Sequence, residues 1–257
     1  MSNPNSATAE MNDAEFANIQ ALEEGMWWYR GQRKILNQLL DPIAGGTVRA
    51  LEAGCGTGHL SRELEKRYRW RMVPTDLAHE GLSYGRGLGV RRMVQNDITR
   101  VPFKTAAFDA LLSMDVLVHF PLGAEAEPFS EFVRVLKPGG LLVVRVSAMN
   151  ILRSRHSAFA HERQRFSRQR LLSLAAAHQL QVLRCTYLNT LLFPIAFTKF
   201  RIIEPLLPGP PESGVQPVPQ WLDNLLYMPL ALEEQWLGAG LNFPLGQSLL
   251  LIARKPR

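Results

Sequence analysis

A glycine-rich turn directly after a buried strand constrains the fold of this chain more than any other feature. The apolar segment 48–53 leads into the turn 54–58, which reads Gly-Cys-Gly-Thr-Gly, and a helical pattern starts near His59. Glycines let the backbone bend sharply and let a ligand approach where a Cβ atom would collide. The helix that follows offers unpaired N–H groups and the positive end of its dipole. The segment therefore predicts a strand, a ligand-binding turn and a helix.

Short apolar runs recur along the chain, and most are separated by segments with a helical or loop pattern. The predicted strands are 48–53, 71–75, 92–95, 110–114, 141–146, 181–187 and 248–254. Strands that alternate with helices favour parallel crossover connections and a sheet that is covered on both faces. We expect an α/β fold with a Rossmann-like, doubly wound sheet.

The length of 257 residues suits a single domain, 1–257, that carries an insertion. After a frayed tail at 1–12, residues 13–41 form a helical lead-in with a break near Gly25, closed by Gly45-Gly46. Residues 48–147 form the cofactor-binding core. The proline-rich segment 189–247 is an insertion before the last strand, and we expect it to cap one edge of the sheet.

Acidic residues follow the strands next to the glycine turn. Asp76 ends the second predicted strand, where a carboxylate can bind both hydroxyls of a ribose. Asp97 and Ile98 follow the third, where they can meet the amine and the ring of adenine. Glu52 precedes the turn, where its charge would repel a pyrophosphate but suits the cationic methionyl end of S-adenosylmethionine. Because His59 also replaces the third glycine of a dinucleotide turn, S-adenosylmethionine is favoured over a nicotinamide or flavin nucleotide.

Three segments resemble motifs of the class I S-adenosylmethionine-dependent methyltransferases. These are 51–58, the fourth-strand segment 108–119 and the helix-to-strand turn 134–142. The resemblance implies a seven-stranded sheet, mostly parallel with an antiparallel last strand, and S-adenosylmethionine as the cofactor. It places Ser113 and Met114 beneath the cofactor. The predicted cofactor-binding residues are Arg33, Glu52, Gly54, Cys55, Gly56, Gly58, Asp76, Leu77, Asp97, Ile98, Ser113 and Met114.

The segment 26–33 resembles the lead-in helix of small-molecule methyltransferases of bacterial type 11 and of the quinone-biosynthesis type. In that type an arginine ahead of the glycine turn reaches the cofactor carboxylate. Arg33 lies closest to that position, and Arg30 is the alternative. The aromatic residues of this helix could equally serve packing alone.

A basic stretch follows the fifth predicted strand. Residues 153–170 hold six arginines and two histidines against one glutamate. Such a run is either a solvated helix face or an anion site, since arginine presents paired donors to phosphate or carboxylate. Its pattern also resembles bacterial methyltransferases linked with cell-surface glycan or lipid-linked substrates, although Ser157 stands where those carry an acid.

Together with the insertion 189–247, this stretch predicts that the molecule which accepts the methyl group has an apolar body and an anionic head. The arginines would clamp the head, and apolar side chains would line a pocket for the body. The predicted lining is Leu191, Leu192, Phe193, Ile195, Trp221, Leu225, Tyr227 and Trp236. His119 and His156 are the candidates for a general base, although an in-line methyl transfer can proceed by placement alone. We expect no metal.

The leading interpretation is methyl transfer to a small-molecule or lipid- or glycan-linked acceptor. RNA or other nucleic-acid methylation is an alternative favoured by the net charge of +6, but residues 114–117 lack the Asn/Asp-Pro-Pro-aromatic element. A second alternative is a non-catalytic module that binds S-adenosylmethionine. The intact set of Glu52, the turn glycines and Asp76 disfavours that module.

The sequence also indicates the cellular compartment of the protein. Cys55 lies inside the glycine turn and Cys185 is the other cysteine, so a structural disulfide would distort the turn and a reducing environment is the simpler expectation. The polar segment 1–13 does not have the pattern of a signal peptide. No apolar run approaches the ~20 residues of a spanning helix. We expect a cytoplasmic protein with at most a peripheral contact to membranes.

Overall fold

The computed structural model describes residues 11–45 and 48–257. Most of the predicted frayed tail and Gly46 of the predicted helix stop lie outside the described residues. The described chain is built on a seven-stranded sheet. Its strands are β1 (Arg49–Ala53), β2 (Arg71–Asp76), β3 (Val94–Gln95), β4 (Phe108–Met114), β5 (Leu136–Ser147), β6 (Gln181–Leu188) and β7 (Ser248–Arg254).

The strand order is β3-β2-β1-β4-β5-β7-β6. β7 runs antiparallel to both of its neighbours, and the other pairs are parallel. The predicted fold class, a mostly parallel doubly wound sheet with an antiparallel last strand, is confirmed. Since the parallel strands share one direction, their carboxyl ends meet at one edge of the sheet.

Ten α-helices lie among the described residues. They are α1 (Asp13–Leu22), α2 (Trp27–Leu40), α3 (His59–Tyr68), α4 (His79–Gly87), α5 (Ala126–Val135), α6 (Arg155–Phe159), α7 (Arg168–Ala177), α8 (Phe193–Thr198), α9 (Glu204–Leu206) and α10 (Gln220–Gly238). Short 3-10 helices cover Ile98–Arg100, Leu117–His119 and Asn150–Leu152, and a π-helix covers Lys199–Ile203.

Helices cover both faces of the sheet because successive strand residues point to opposite sides. In β5, Leu142 and Val144 enter one hydrophobic core with residues of α5 and α7. Leu141 and Val143 enter the other core, which residues of α2, α3 and α10 complete. The continuous apolar runs of the strands reflect this burial on both faces.

The fifth strand begins earlier than the sequence predicts. The prediction placed a turn at 137–140 and the strand from Leu141, whereas β5 starts at Leu136. Pairing with β4 shifts register between Phe108 and Ala110, and Gly139 has a positive φ of 79°. The glycine-containing segment is therefore an irregularity inside the paired strand and does not precede it.

The insertion 189–247 leaves the sheet after β6 and returns to it at β7. It contains α8, the π-helix, α9, an extended segment and α10. α10 packs along α2, and Gly31 permits the close approach because a Cβ atom there would collide with Leu230. The two helices form one layer over the sheet, so the insertion is attached to the lead-in as well as to the strands.

Candidate active site

A cavity of about 1210 Å³ opens at the edge of the sheet where the parallel strands end. Its wall includes the turn after β1, Asp76 at the end of β2, Met114 at the end of β4 and Ser147 at the end of β5. This is the edge at which ligands bind in open α/β sheets. The cavity continues between α1, α2, α6 and the insertion.

The glycine turn has a fixed backbone geometry. The N–H groups of Gly54 and Cys55 both donate to the Thr75 carbonyl at 2.8 Å. Gly54 has a φ of 79°, and a Cβ atom at this position would collide with the Val116 side chain. Only glycine meets both requirements without strain, because other residues rarely adopt this conformation.

Asp76 connects the turn to the neighbouring strand. Its Oδ2 accepts a hydrogen bond from Gly56 N at 2.7 Å, and its Oδ1 accepts one from Ala78 N at 2.9 Å. Burial raises the pKa of the carboxyl group, while these N–H donors lower it. Each carboxylate oxygen can accept a further bond, so Asp76 can hold the turn and still receive the hydroxyl groups of a ligand.

Glu52 is a buried carboxyl group that lacks a cationic partner among the described residues. Its side chain is 3% exposed, and Oε2 accepts a hydrogen bond from the Ser61 hydroxyl. Burial, helped by the charges of Asp76 and Glu23 and opposed by the Ser61 hydrogen bond, raises the pKa of Glu52 to about 8. A cationic ligand would relieve this destabilisation of the charged form.

Glu23 is a site residue that the sequence analysis missed. It is buried, and both carboxylate oxygens lie 2.7 Å from the Thr57 hydroxyl in the glycine turn. Burial raises its pKa to about 7. No sequence motif marks Glu23, because it reaches the turn only through the docking of α1 onto the sheet.

Arg33 lines the cavity beside the end of α1. Its guanidinium donates to the carbonyl of Glu23, and to that of Glu24 at 2.6 Å. Burial lowers the pKa of Arg33. The alternative, Arg30, lies outside the cavity wall and pairs with Asp223 at 3.1 Å. The structure therefore keeps Arg33, and not Arg30, as the candidate contact to the cofactor carboxylate.

Most of the predicted cofactor-binding residues share the cavity wall. Those that line it are Arg33, Glu52, Gly54, Cys55, Gly56, Asp76, Leu77, Asp97, Ile98 and Met114. Gly58 and Ser113 do not line it. Gly58 is the N-cap of α3 in a left-handed conformation, and a Cβ atom there would crowd Val90 and Met93. Ser113 is buried within β4. Both residues shape the scaffold of the site.

Asp97 has a second function in the local structure. Its Oδ1 caps the 3-10 helix that begins at Ile98 by accepting from Thr99 N at 2.8 Å. The cap leaves Oδ2 available and fixes Ile98 on the cavity wall. The arrangement is compatible with the predicted contacts to an adenine.

A polar network crosses the floor of the cavity. Arg145 of β5 pairs with Asp115, its Nε lying 2.9 Å from Oδ2, and its Nη1 donates to Gln32 Oε1 at 3.2 Å. Gln32 in turn donates to Asn189 Oδ1 at 2.6 Å. The network joins α2 to the sheet and to the start of the insertion, and the sequence analysis did not predict it.

The part of the cavity beyond the glycine turn contains polar groups whose hydrogen-bonding capacity is not used. Glu15 is almost fully buried, and its Oε1 has no hydrogen-bond partner among the described residues. The Tyr29 hydroxyl makes no hydrogen bond to a described residue, and burial raises the pKa of Tyr29 well above its usual value. Oε1 of Glu15 lies 3.8 Å from Nδ1 of His156. These groups can bind a polar part of a ligand.

Both candidate histidines line the cavity. Nδ1 of His119 lies 3.4 Å from the His161 carbonyl, and burial lowers the pKa of His119. Nδ1 of His156 accepts a hydrogen bond from Gly214 N at 2.9 Å, and burial also lowers its pKa. Because a backbone N–H is always a donor, neutral His156 carries its proton on Nε2. In this tautomer His156 is a hydrogen-bond donor to the cavity.

The structure does not support the predicted arginine clamp as a whole. Arg153 donates to backbone carbonyls, Arg155 contacts Glu204 and Glu212, and Arg170 pairs with Glu125. Of the predicted cluster, Arg155 and Arg165 reach the cavity wall, and Arg165 is already paired with Glu162 at 3.1 Å. The cluster mainly fixes the loops around α6.

The prediction that the insertion lines an apolar pocket is wrong for most of its residues. Leu192 and Ile195 do line the cavity. Leu191, Trp221, Leu225 and Trp236 are exposed on the outside of the insertion. Periodicity alone did not distinguish the inward face of these helices from the outward face. Phe193 and Tyr227 also lie outside the cavity wall.

The geometry agrees with comparisons to known proteins. Residues 51–144 match the family model of a methyltransferase domain. This part of the chain is similar to the class I S-adenosylmethionine-dependent methyltransferases. The matched residues contain the glycine turn, Asp76, Asp97 and the end of β4, which line the cavity at the carboxyl ends of the strands.

Two relatives and one solved structure illustrate this similarity. A probable S-adenosylmethionine-dependent methyltransferase from Mycolicibacterium smegmatis is 29% identical over 49% of the chain and 48% of its own length. A 2-methyl-6-phytyl-1,4-hydroquinone methyltransferase from Synechocystis is 30% identical over 41% of the chain and 33% of its own length. The chain thus spans half or less of these curated relatives.

The solved structure is a putative methyltransferase in complex with the Trm112 methyltransferase activator of Haloferax volcanii. It has a TM-score of 0.64 at 15% sequence identity, and the match covers 95% of this chain and 97% of that chain. The likeness extends over the insertion and concerns the fold.

The residues of the site fit S-adenosylmethionine. The buried carboxyl groups of Glu52 and Glu23 suit a cationic ligand, and the Asp76 carboxylate retains capacity for hydroxyl donors. Among the described residues, no group of three or more His, Cys, Asp or Glu side chains could hold a metal ion. In the same part of the chain, no helix is both long and apolar enough to cross a bilayer.

Proposed function

We propose that the protein transfers a methyl group from S-adenosylmethionine to a small-molecule or lipid- or glycan-linked acceptor. The observation that carries this proposal is the continuity of the cavity. Residues of the glycine turn and residues of the insertion, such as Leu192 and Leu226, line the same space. A cofactor on one side and an acceptor on the other would therefore meet without an intervening wall.

The cofactor side would hold S-adenosylmethionine through residues already in place. Asp76 would accept from the ribose hydroxyls, Asp97 and Ile98 would contact the adenine, and Glu52 would face the positive charge. When bound, the cofactor supplies an electrophilic methyl group on a sulfonium. The protein contributes placement of the two reactants, which can account for much of the acceleration of such a displacement.

The acceptor side combines an apolar wall with a few polar groups. Trp28, Phe120, Leu192 and Leu226 supply apolar surface to the cavity. Tyr29 offers a hydroxyl group to the cavity, and Glu15 offers a carboxylate oxygen that has no hydrogen-bond partner among the described residues. This lining fits an acceptor that is largely hydrocarbon and carries a polar group near the methyl donor. Glu15 Oε1, which has no hydrogen-bond partner among the described residues, would accept a proton from it.

Two observations favour such an acceptor over a nucleic acid. The basic residues of 153–170 are largely paired within the chain, as with Arg165 and Glu162, so they form no continuous surface for phosphates. The Synechocystis relative is a 2-methyl-6-phytyl-1,4-hydroquinone methyltransferase, and its named substrate carries a long hydrocarbon chain. An acceptor head that is acidic would contact Lys199, which lines the cavity.

The experiment offers the protein three acceptor fractions with S-adenosylmethionine labelled in its methyl group. These are a lipid extract, a polar metabolite extract and total RNA, each analysed by mass spectrometry. We expect label in the lipid or metabolite fraction, and much less label at low cofactor concentration when Asp76→Ala replaces the wild type. Label confined to RNA would refute the proposed acceptor class, and no label with measurable cofactor binding would favour the non-catalytic module.

A further inference from the structure

We propose that the outer face of the insertion is a docking surface for a bilayer with anionic headgroups. The surface consists of the outward side of α10 and the segment 191–207, and it is called the apolar face below. The proposal concerns binding and holds whether or not the methyl acceptor is a lipid.

The exposed side of α10 is apolar, whereas the exposed side of a surface helix is usually polar. Five large apolar residues are 47–68% exposed, and their spacing of three or four places them on one side of the helix. They are Trp221, Leu225, Met228, Leu232 and Trp236. A water-exposed helix normally presents charged residues on this side.

Two of the three acidic side chains of α10, Asp223 and Glu233, point inward, and the third, Glu234, is half-buried. Asp223 accepts from Trp27 N at 2.7 Å and pairs with Arg30. Glu233 is fully buried and accepts from the backbone N–H groups of Asn189 and Leu191 at 2.8 and 2.7 Å. Two buried carboxylates with specific partners fix the rotation of the helix. The apolar residues are therefore held on the outside by the structure.

The segment 191–207 also exposes apolar side chains, and in addition it carries positive charge. Its exposed apolar residues are 44–73% accessible, and they are Leu191, Ile195, Ile202, Ile203, Leu206 and Leu207. Lys199 and Arg201 are exposed among them. The acidic residue of the segment, Glu204, is engaged by the backbone N–H of Arg155 at 3.0 Å. The exposed charge of this segment is therefore positive.

An anionic bilayer fits these features better than a second protein surface. Apolar side chains with tryptophans enter the region between headgroups and acyl chains, and lysine and arginine attract anionic lipids. Since no described helix could span a bilayer, the expected binding is interfacial. The positive charge at Lys199 and Arg201 supplies the complementarity that selects anionic lipid over zwitterionic lipid.

The apolar face adjoins the cavity. Ile195 and Lys199 belong to the apolar face and also line the cavity, and Leu226 of α10 lines it as well. A bilayer on this face would lie beside the acceptor side of the site. If the proposed function holds, a lipid acceptor could pass between the two without crossing water.

The test is co-sedimentation of the full chain with vesicles, without cofactor or acceptor. One set contains phosphatidylglycerol and phosphatidylcholine, and the other contains phosphatidylcholine alone. We expect binding to the anionic vesicles, at least a tenfold loss of affinity in Leu225→Glu/Met228→Glu, and a several-fold loss in Arg201→Ala. The matched control is Asn224→Asp/Gln235→Glu, which adds the same charge at exposed polar positions of α10 but keeps the apolar side chains, and it should lose clearly less affinity than Leu225→Glu/Met228→Glu.

Thermal melting of each variant establishes that it folds, because these positions are exposed. A wild type that stays in the supernatant with both vesicle types would overturn the proposal. So would a dimer in analytical ultracentrifugation that Leu225→Glu/Met228→Glu dissociates, since the apolar face would then be an interface between two copies. As binding is measured without methyl transfer, its failure is distinct from failure of the proposed function.

Discussion

The two sides of the cavity are built in different ways. On the cofactor side, strand ends and a tight turn position each group, and hydrogen bonds from backbone N–H groups to side chains, such as Gly56 N to Asp76 Oδ2, hold them. On the acceptor side, helices supply the wall, and side chains far apart in the sequence hold it together. Asp223 with Trp27 and Glu233 with Asn189 are examples. The first side depends on the register of the sheet, whereas the second depends on how the insertion docks.

The largest effect should come from the group that ties the turn to the sheet. Asp76→Ala removes the acceptor of the Gly56 and Ala78 N–H groups as well as the proposed ribose contact. We expect the dissociation constant for S-adenosylmethionine to rise about 10–100-fold, or about 1–3 kcal/mol. Isothermal titration calorimetry measures the change.

Asp109→Ala is the matched control for this substitution. Asp109 accepts from Arg49 N at 2.9 Å and pairs with Lys137 at 2.7 Å, but it lies outside the cavity wall. It should lower the melting temperature without changing the dissociation constant. If Asp76→Ala lowered only the melting temperature, Asp76 would be a scaffold residue. It would then not contribute to ligand binding on the cofactor side.

Glu52 should make the stability of the ligand-free protein depend on pH. An unfolded glutamate loses its proton near pH 4.5, whereas burial raises the pKa of folded Glu52 to about 8. Between these values the folded state binds the extra proton, so the free energy of unfolding falls as pH rises, by up to about 1.4 kcal/mol per pH unit. The decline ends above about pH 8.

Melting temperatures from pH 5 to 9 test this expectation with Glu52→Gln, which should flatten the curve above about pH 7. Below that pH, Glu23 should preserve part of the slope because burial raises its pKa to about 7. Glu65→Gln, at a partly exposed carboxylate that pairs with Arg92, should keep the slope of the wild type. Parallel curves for wild type and Glu52→Gln would contradict the assignment.

A smaller effect is expected where the lead-in meets the turn. Arg33→Ala should raise the dissociation constant for S-adenosylmethionine about fivefold and lower the melting temperature by about 2–4 °C, since the guanidinium also holds the carbonyls of Glu23 and Glu24. Arg30→Ala, from the same helix, should lower the melting temperature alone. An unchanged affinity in Arg33→Ala would restrict this residue to packing.

The smallest effect should be that of Arg163→Glu. Arg163 is exposed and has no side-chain partner among the described residues, and it does not line the cavity. We expect the free energy of unfolding to change by less than about 0.5 kcal/mol. The turnover should change by less than about twofold. Arg165→Gln should lower stability by more, because it breaks the Glu162 pair. A marked loss of turnover in Arg163→Glu would instead support the hypothesis that the arginines clamp the head of the acceptor.

The comparison also explains what the sequence could and could not predict. The turn, Asp76 and Asp97 could be placed because each lies at the end of a strand or within two residues of it, and the ends of parallel strands meet at one edge of the sheet. Glu15 and Glu23 could not, since helical periodicity does not show that α1 docks over the turn. The exposed Trp221 and Trp236 were assigned to a pocket because apolar residues are expected to be buried, and only the inward bonds of Asp223 and Glu233 reveal the rotation of α10.

The position of the insertion in the sheet has a consequence for how such a protein can diversify. Leu188 at the end of β6 pairs with Ser248 at the start of β7, so the segment between them begins and ends at one rung of an antiparallel ladder. The ends of such a loop stay together whatever its length, and lengthening it costs little entropy. Additions and deletions between these rungs leave the strand register intact. The length of this segment can therefore change while the strands that carry the glycine turn and Asp76 keep their pairing.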